Sequence, residues 1–165
     1  MMTRHSAALA LGFALAATLP GAGRAELVTH KDLSLDTALT IATTAIATCK
    51  TNGYKVSATV VGRAGEVILQ LRGDATGPHT MENSFRKAYT ARTFRVPSGE
   101  IVARLKQNPE LSLIHLSNVI AAQGALPIMV GDDVIGAIGV SGAPGGDKDE
   151  ACAKTGLEKV ADQLK

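Results

Sequence analysis

Cysteine is scarce in this 165-residue sequence, which contains only Cys49 and Cys152. Neither cysteine lies at the spacing that zinc sites or paired-cysteine redox motifs require, so we expect neither kind of site. Long apolar runs are absent after residue 25, where no segment approaches the roughly 20 apolar residues that span a bilayer. We therefore expect no membrane span after residue 25.

An excess of charge of one sign is also missing. The sequence has 17 lysine and arginine residues against 15 aspartate and glutamate residues, and two of the basic residues, Arg4 and Arg24, lie within the first 25 positions. The remaining basic residues equal the acidic ones in number. Without a basic excess the chain lacks the electrostatic character of a nucleic-acid-binding protein, so we exclude nucleic acid as a partner.

Common catalytic and nucleotide-binding motifs are missing as well. Gly136, Gly139 and Gly142 do not form G-x-G-x-x-G, and no G-x-S-x-G nucleophile elbow is present. Neither a Ser-His-Asp order nor an H-E-x-x-H motif occurs. The adjacent Asp132 and Asp133 are typical of a turn rather than of a catalytic carboxylate pair. These absences favour a binding protein over an enzyme.

The chain begins with the features of an export signal. Arg4 and His5 precede an apolar run over residues 7–19, and Pro20 and small residues ending at Ala25 follow it. This order is typical of a cleaved secretory signal peptide, and the run is too short for a membrane anchor. We predict a signal peptide over residues 1–25, a single domain over residues 26–165, and a periplasmic or secreted location.

The two cysteines fall in the first and the last predicted helix. An oxidising compartment would favour a disulfide bond between Cys49 and Cys152, which would join the two ends of the domain. Two buried, inert thiols are the alternative, because the sequence does not establish the Cα separation that a disulfide requires.

Hydrophobic periodicity and turn residues predict an α+β domain with a mainly antiparallel sheet. The predicted helices begin at Ser34, at about Thr80, after Pro97 and near Asp147. The predicted strands form two hairpins, one over residues 56–71 and one centred on residues 131–133. The segment 111–119 is ambiguous between a strand and an irregular connector.

Four short segments and one further residue carry a resemblance to a known family: residues 72–74, 84–91, 136–143 and 152–156, and Asp147. They resemble the GlcG/HbpS family, also called DUF336 or the haem-degrading domain. The resemblance covers about residues 33–164. It implies a profilin-like fold with a five-stranded antiparallel sheet, helices on its faces, and frequent assembly into homo-oligomers. It also implies haem or tetrapyrrole binding in some members, haem degradation by the family's name, and, for an extracellular member, a partnership with a redox sensor protein.

Candidate haem contacts cluster at the start of the helix predicted from residue 80. Haem iron needs an axial donor, the macrocycle needs an apolar slot, and the propionates need cations or hydroxyls. His79, which follows Gly77-Pro78, is the candidate iron ligand. The other candidate contacts here are Met81, Arg86, Lys87, Tyr89 and Thr90. A solvated or capping role for His79, a core role for Met81 and a solvent-facing role for the two basic residues are the structural alternatives.

Ser141 and Gly142, just before the last helix, form a second group of candidate contacts. Backbone N–H groups near a helix N-terminus attract carboxylates, so this region suits a haem propionate or a small organic acid. A binding protein or enzyme for a small carboxylated ligand, using Arg72 and Arg92 as well, is therefore an alternative function. A ligand-free accessory subunit of a sensor or transport system is a third. We interpret Gly136 and Gly139 as packing residues, and His115 as a structural histidine rather than a second iron ligand.

Overall fold

The computed structural model describes residues 26–165, so the predicted signal peptide lies outside the described residues. The helices are α1 (Leu35–Thr51), α2 (Thr80–Phe94), α3 (Ser98–Gln107) and α4 (Gly146–Lys159), and the strands are β1 (Ser57–Val61), β2 (Val67–Arg72), β3 (Ala125–Val130) and β4 (Asp133–Ser141). Two short 3-10 turns cover Ser112–His115 and Ala161–Leu164. The α+β prediction is confirmed, and over residues 26–165 no helix is long and apolar enough to cross a membrane.

The strands form one antiparallel sheet in the order β2-β1-β4-β3. The expectation of five strands is wrong for the described residues, which form four. The ambiguous segment 111–119 adds no strand because it folds into a 3-10 turn and an irregular connector. His115 lies in that turn and is exposed, so its assignment as a structural histidine is also wrong.

The two faces of the sheet differ in chemistry. One face packs against α1 and α4 in an apolar core that includes Ala58 and Val60 of β1. The other face carries Ser57 and Thr59, because successive side chains of a strand point to opposite sides. Their hydroxyls are hydrogen-bonded to the hydroxyls of Thr80 and Ser84 in α2, at 2.8 and 2.7 Å. A hydroxyl-rich layer therefore fixes α2 on the sheet.

Gly139 of β4 lets α2 approach the sheet closely. A Cβ atom at this position would overlap the Ser84 carbonyl oxygen and lie 2.6 Å from the Ala88 backbone nitrogen. Gly136 is similarly close to the Val61 carbonyl oxygen, at 2.5 Å. Both glycines are packing residues, as predicted.

A disulfide bond joins α1 to α4. The Cα atoms of Cys49 and Cys152 are 5.6 Å apart, and both residues are buried. Of the two alternatives for the cysteines, the structure adopts the bonded one. The bond fixes the pair of helices that covers the apolar face of the sheet.

Candidate functional site

A cleft of about 410 Å³ lies between the start of α2, the connector before β3, and the segment that leads from β4 into α4. Its volume falls within the range of about 300–1,000 Å³ that is usual for small-molecule pockets. The residues that line it are His79, Asn83, Lys87, Val102, Ala121, Ala122, Gln123, Ser141, Gly142, Ala143, Gly145, Gly146 and Asp149. We call it the His79 cleft.

His79 lies at the rim of this cleft as the residue before α2. Its side chain is exposed and makes no capping hydrogen bond to the helix. The imidazole lies over Gly77, where an added Cβ atom would be 2.9 Å from its Cε1. The loop therefore presents a histidine that is free to bind a ligand.

One face of α2 runs along the cleft. His79, Asn83 and Lys87 follow each other at intervals of four residues, and this spacing places side chains on the same side of a helix. All three line the cleft. Asn83 was missed in the sequence analysis, although this spacing from His79 would have identified it.

A buried ion pair lies at the inner end of this row. The Lys87 Nζ atom is 2.7 Å from Asp149 Oδ2 and also donates to the Val140 carbonyl oxygen at 3.1 Å. Both side chains are about 95% buried. Burial raises the pKa of the Asp149 carboxyl, and this effect exceeds the opposing effect of the Lys87 ammonium. The floor of the cleft is therefore formed by two opposite charges that are paired with each other.

Lys87 was predicted to contact a haem propionate, but its ammonium is already bound within the protein. Asp149 was missed in the sequence analysis. Its position in the first turn of α4 was the available signal, because carboxylates are favoured at helix N-termini. The Asp149 Oδ1 atom accepts the Ala143 N–H at 2.9 Å, so the chain's own carboxylate takes one of the N–H groups expected to bind a ligand.

Ser141 and Gly142 form part of the cleft wall, next to the N-terminus of α4. Ser141 is buried, and Gly142 adopts a φ of +132°. A Cβ atom at Gly142 would lie 3.0 Å from the Val56 Cα atom, so this glycine also permits close packing. The structure thus places both predicted segments, residue 79 and residues 141–142, in one cleft.

Two other predicted contacts support the wall without lining the cleft. Thr90 Oγ1 accepts the Ile120 N–H at 2.9 Å, and Arg86 Nη2 donates to the Val119 carbonyl oxygen at 2.9 Å. These bonds attach the connector to α2. Arg86 and Thr90 therefore position the wall formed by residues 121–123.

Met81 and Tyr89 lie outside the cleft lining. The Met81 carbonyl oxygen accepts a hydrogen bond from Gln70 Nε2 at 2.7 Å, and its side chain is half-buried. The Tyr89 ring packs on Phe85 and against Gly65 in the β1–β2 turn. Both side chains are directed to other parts of the α2 surface.

Neither arginine of the small-carboxylate alternative lines the His79 cleft. Arg72 lines a different cleft and donates to the Thr76 carbonyl oxygen at 3.1 Å. Arg92 lies near Asp133, at the opposite end of β4, where burial and neighbouring arginines lower its pKa. That alternative therefore loses its two predicted cations.

Comparison with known proteins identifies the family. A family model described as "Haem degrading protein HbpS-like" matches residues 33–158. HbpS of Streptomyces reticuli, solved as a double mutant, is 35% identical, and the match covers 86% of this chain and 97% of that chain with a TM-score of 0.77. An uncharacterised 15.0 kDa protein of Citrobacter freundii is 32% identical over 102 residues, which are 60% of this chain and 71% of that protein.

A more distant solved structure shares the fold. It is a complex of PduOC with heme, 18% identical, in which the match covers 78% of this chain and 95% of that chain with a TM-score of 0.72. Within residues 26–165 there is no group of three or more His, Cys, Asp or Glu side chains arranged to hold a metal ion directly. The resemblance to the GlcG/HbpS family is confirmed, and the chain belongs to the HbpS-like family.

Proposed function

We propose that the protein binds haem in the His79 cleft, with His79 as the iron ligand. The observation that carries the proposal is the convergence of an exposed, unbonded histidine and the N-terminus of α4 on one cleft. Membership of the HbpS-like family supports it, and so does the heme complex of PduOC, which has the same fold.

The residues of the cleft match the chemical parts of haem. His79 can supply the nitrogen donor that haem iron requires. Val102, Ala121 and Ala122 offer apolar surface for the macrocycle, and the Asn83 amide and the N-terminus of α4 can receive propionates. Bound haem would supply redox chemistry, while this chain would orient the group and limit access of water to it.

The test is a hemin titration followed by absorbance, comparing the wild type with His79→Ala. We expect a saturable Soret shift that is lost or altered in His79→Ala. His115→Ala is the matched control, because His115 is also exposed but lies in the 3-10 turn outside the cleft. A shift that survives in His79→Ala would reject this ligand assignment, and the absence of any saturable shift in the wild type would reject haem binding.

A small organic acid is the second candidate ligand. The polar lining of the cleft, with the Asn83 amide and the N-terminus of α4, favours a carboxylate without the help of Arg72 or Arg92. Such a ligand would stabilise the folded protein by mass action without producing an absorbance change. Thermal unfolding with citrate or succinate, followed in parallel with the hemin titration, separates the two candidates.

We also propose that the protein is exported and acts in haem capture, storage or redox sensing outside the cytoplasm. The buried Cys49–Cys152 bond supports export, because disulfides persist in oxidising compartments. We expect the periplasmic or secreted protein to begin at residue 26. Intact-mass measurement on fractionated cells tests this, and a cytoplasmic protein that retains residues 1–25 would reject it.

A homo-oligomer is the assembly that we propose. Ile114 and Leu116, in and beside the 3-10 turn, are 45% and 51% exposed. Contiguous exposed apolar patches mark interaction surfaces, and we propose that these two side chains belong to such a patch. Sedimentation equilibrium checks the assembly: we expect a species larger than the monomer, and Ile114→Ser/Leu116→Ser should shift it towards the monomer.

A further inference from the structure

A second cleft, of about 450 Å³, lies between the end of α1, the segment that enters β1, and the loop after β2. Ile46, Tyr54 and Val56 provide its apolar surface, and Lys50, Lys55 and Arg72 provide its cations. We call it the Tyr54 cleft. It shares no lining residue with the His79 cleft, and most of its surface is apolar.

The charge of this cleft is unbalanced. Asp74 is the only acidic residue among those that line it, and its carboxylate is 3.6 Å from Lys50 Nζ. Both of these side chains are largely exposed, at 95% and 76%, so their pairing is weak. Lys148 adds a further cation, with its Nζ 5.7 Å from the centre of the Tyr54 ring. The cleft therefore combines an apolar floor with a net positive rim.

We propose that the Tyr54 cleft binds an amphipathic carboxylate, such as a medium-chain fatty acid. The apolar chain would contact Ile46, Tyr54 and Val56, and the carboxylate would be held by Lys50 and Lys55. A small inorganic anion would leave the apolar floor in water, and a neutral amphiphile would leave the cations without a partner. This proposal is independent of haem binding, because the two clefts share no residue.

Tyrosine fluorescence gives a direct readout of this site. The sequence contains no tryptophan and two tyrosines, Tyr54 and Tyr89. In a Tyr89→Phe background all tyrosine emission comes from Tyr54. We expect decanoate, below its micelle concentration, to change this emission saturably, and decanol to bind at least tenfold more weakly. Raising the salt concentration should weaken decanoate binding, because exposed charges are screened.

A charge variant tests the cationic rim. Lys50→Gln/Lys55→Gln should weaken decanoate binding about tenfold, since each exposed ionic contact contributes modestly. Lys154→Gln/Lys159→Gln is the matched control, because it removes the same charge from exposed positions of α4 outside the cleft. Affinity within twofold of the parent protein is expected for this control.

Several outcomes would overturn the proposal. No saturable change in Tyr54 emission, equal binding of decanol and decanoate, or equal weakening in both double variants would each reject it. Displacement of decanoate by stoichiometric hemin would assign both ligands to one site and reject a separate fatty-acid site. A hemin titration that fails while decanoate still binds would leave this proposal supported, because the two readouts are independent.

Discussion

Lys87 and Asp149 are the two charged side chains that lie deepest in the His79 cleft. Both are about 95% buried, so each depends on the other to offset the free energy of leaving water. Replacing Lys87 with methionine keeps the side-chain length but leaves the Asp149 carboxylate without a cation. We expect the free energy of unfolding to fall by about 3–5 kcal/mol, measured by urea denaturation at pH 7.

The same variant should show a defined pH dependence. A carboxyl whose pKa is higher in the folded than in the unfolded state makes the protein less stable as pH rises through that interval. Burial raises the pKa of Asp149, and loss of Lys87 raises it further. The stability difference between Lys87→Met and the wild type should therefore shrink as pH is lowered from about 7 to about 4.

Lys87→Met/Asp149→Asn is the control for this interpretation. The asparagine removes the unpaired charge while its amide oxygen can still accept the Ala143 N–H. We expect the double variant to recover at least half of the lost stability. If it is as unstable as Lys87→Met, packing of the lysine side chain rather than the ion pair explains the loss.

At the scale of elements, the position of α2 determines the geometry of the His79 cleft. Buried hydroxyls hold the helix on the sheet, and Gly139 permits the short distance between α2 and β4. Adding a methyl group in Gly139→Ala should force the helix and β4 apart. We expect a loss of about 1–3 kcal/mol in the free energy of unfolding, measured by urea denaturation.

The contact that causes this loss is with backbone atoms. A Cβ atom at Gly139 would be 2.6 Å from the Ala88 nitrogen and 3.0 Å from the Ala88 Cβ atom. Removing the Ala88 Cβ atom, in Gly139→Ala/Ala88→Gly, should therefore not restore the lost free energy of unfolding. Restored stability in the double variant would show that the two side chains, and not the backbone of α2, set the distance.

Element boundaries were largely predictable, because they depend on local sequence. Helical spacing and turn residues placed the starts of α1, α2, α3 and α4 within a few residues of their observed positions. Ser98 is a residue type that often caps helices, but here it is the first residue of α3 and its Oγ accepts the Ala125 N–H at 3.0 Å. The Ser98 hydroxyl thus binds a backbone N–H at the start of β3 instead of an N–H in the first turn of its own helix.

At the scale of the whole molecule, the Cys49–Cys152 bond closes most of the domain into one loop. The cysteines are 103 residues apart in sequence. A crosslink over about 100 residues is expected to stabilise the folded state by about 4–5 kcal/mol, mainly by restricting the unfolded chain. Cys49→Ala/Cys152→Ala should therefore lower the free energy of unfolding by about this amount, measured by urea denaturation.

Reduction of the wild type provides the complementary comparison. In urea with dithiothreitol the wild type should unfold at nearly the same midpoint as the double alanine variant. In the absence of reductant its midpoint should be clearly higher. Equal midpoints for the wild type with and without reductant would contradict a stabilising bond.

The sequence by itself determined the family, the α+β class, the succession of helices and strands, and two of the segments that line the cleft. These properties depend on residue spacing, turn chemistry and short motifs, which are local along the chain. His79 could be singled out because a Gly-Pro loop and a helix start surround it.

Only the tertiary structure decided which of these residues meet. The four-stranded order β2-β1-β4-β3 brings the start of α2 to the start of α4, about 65 residues later in the chain. It buries Lys87 against Asp149, and it leaves Arg72 in the lining of the Tyr54 cleft and Arg92 near Asp133, at the opposite end of β4 from Ser141. Strand pairing and the close approach of α2 over Gly139 fix these distances, and both depend on contacts between distant segments that no local pattern encodes.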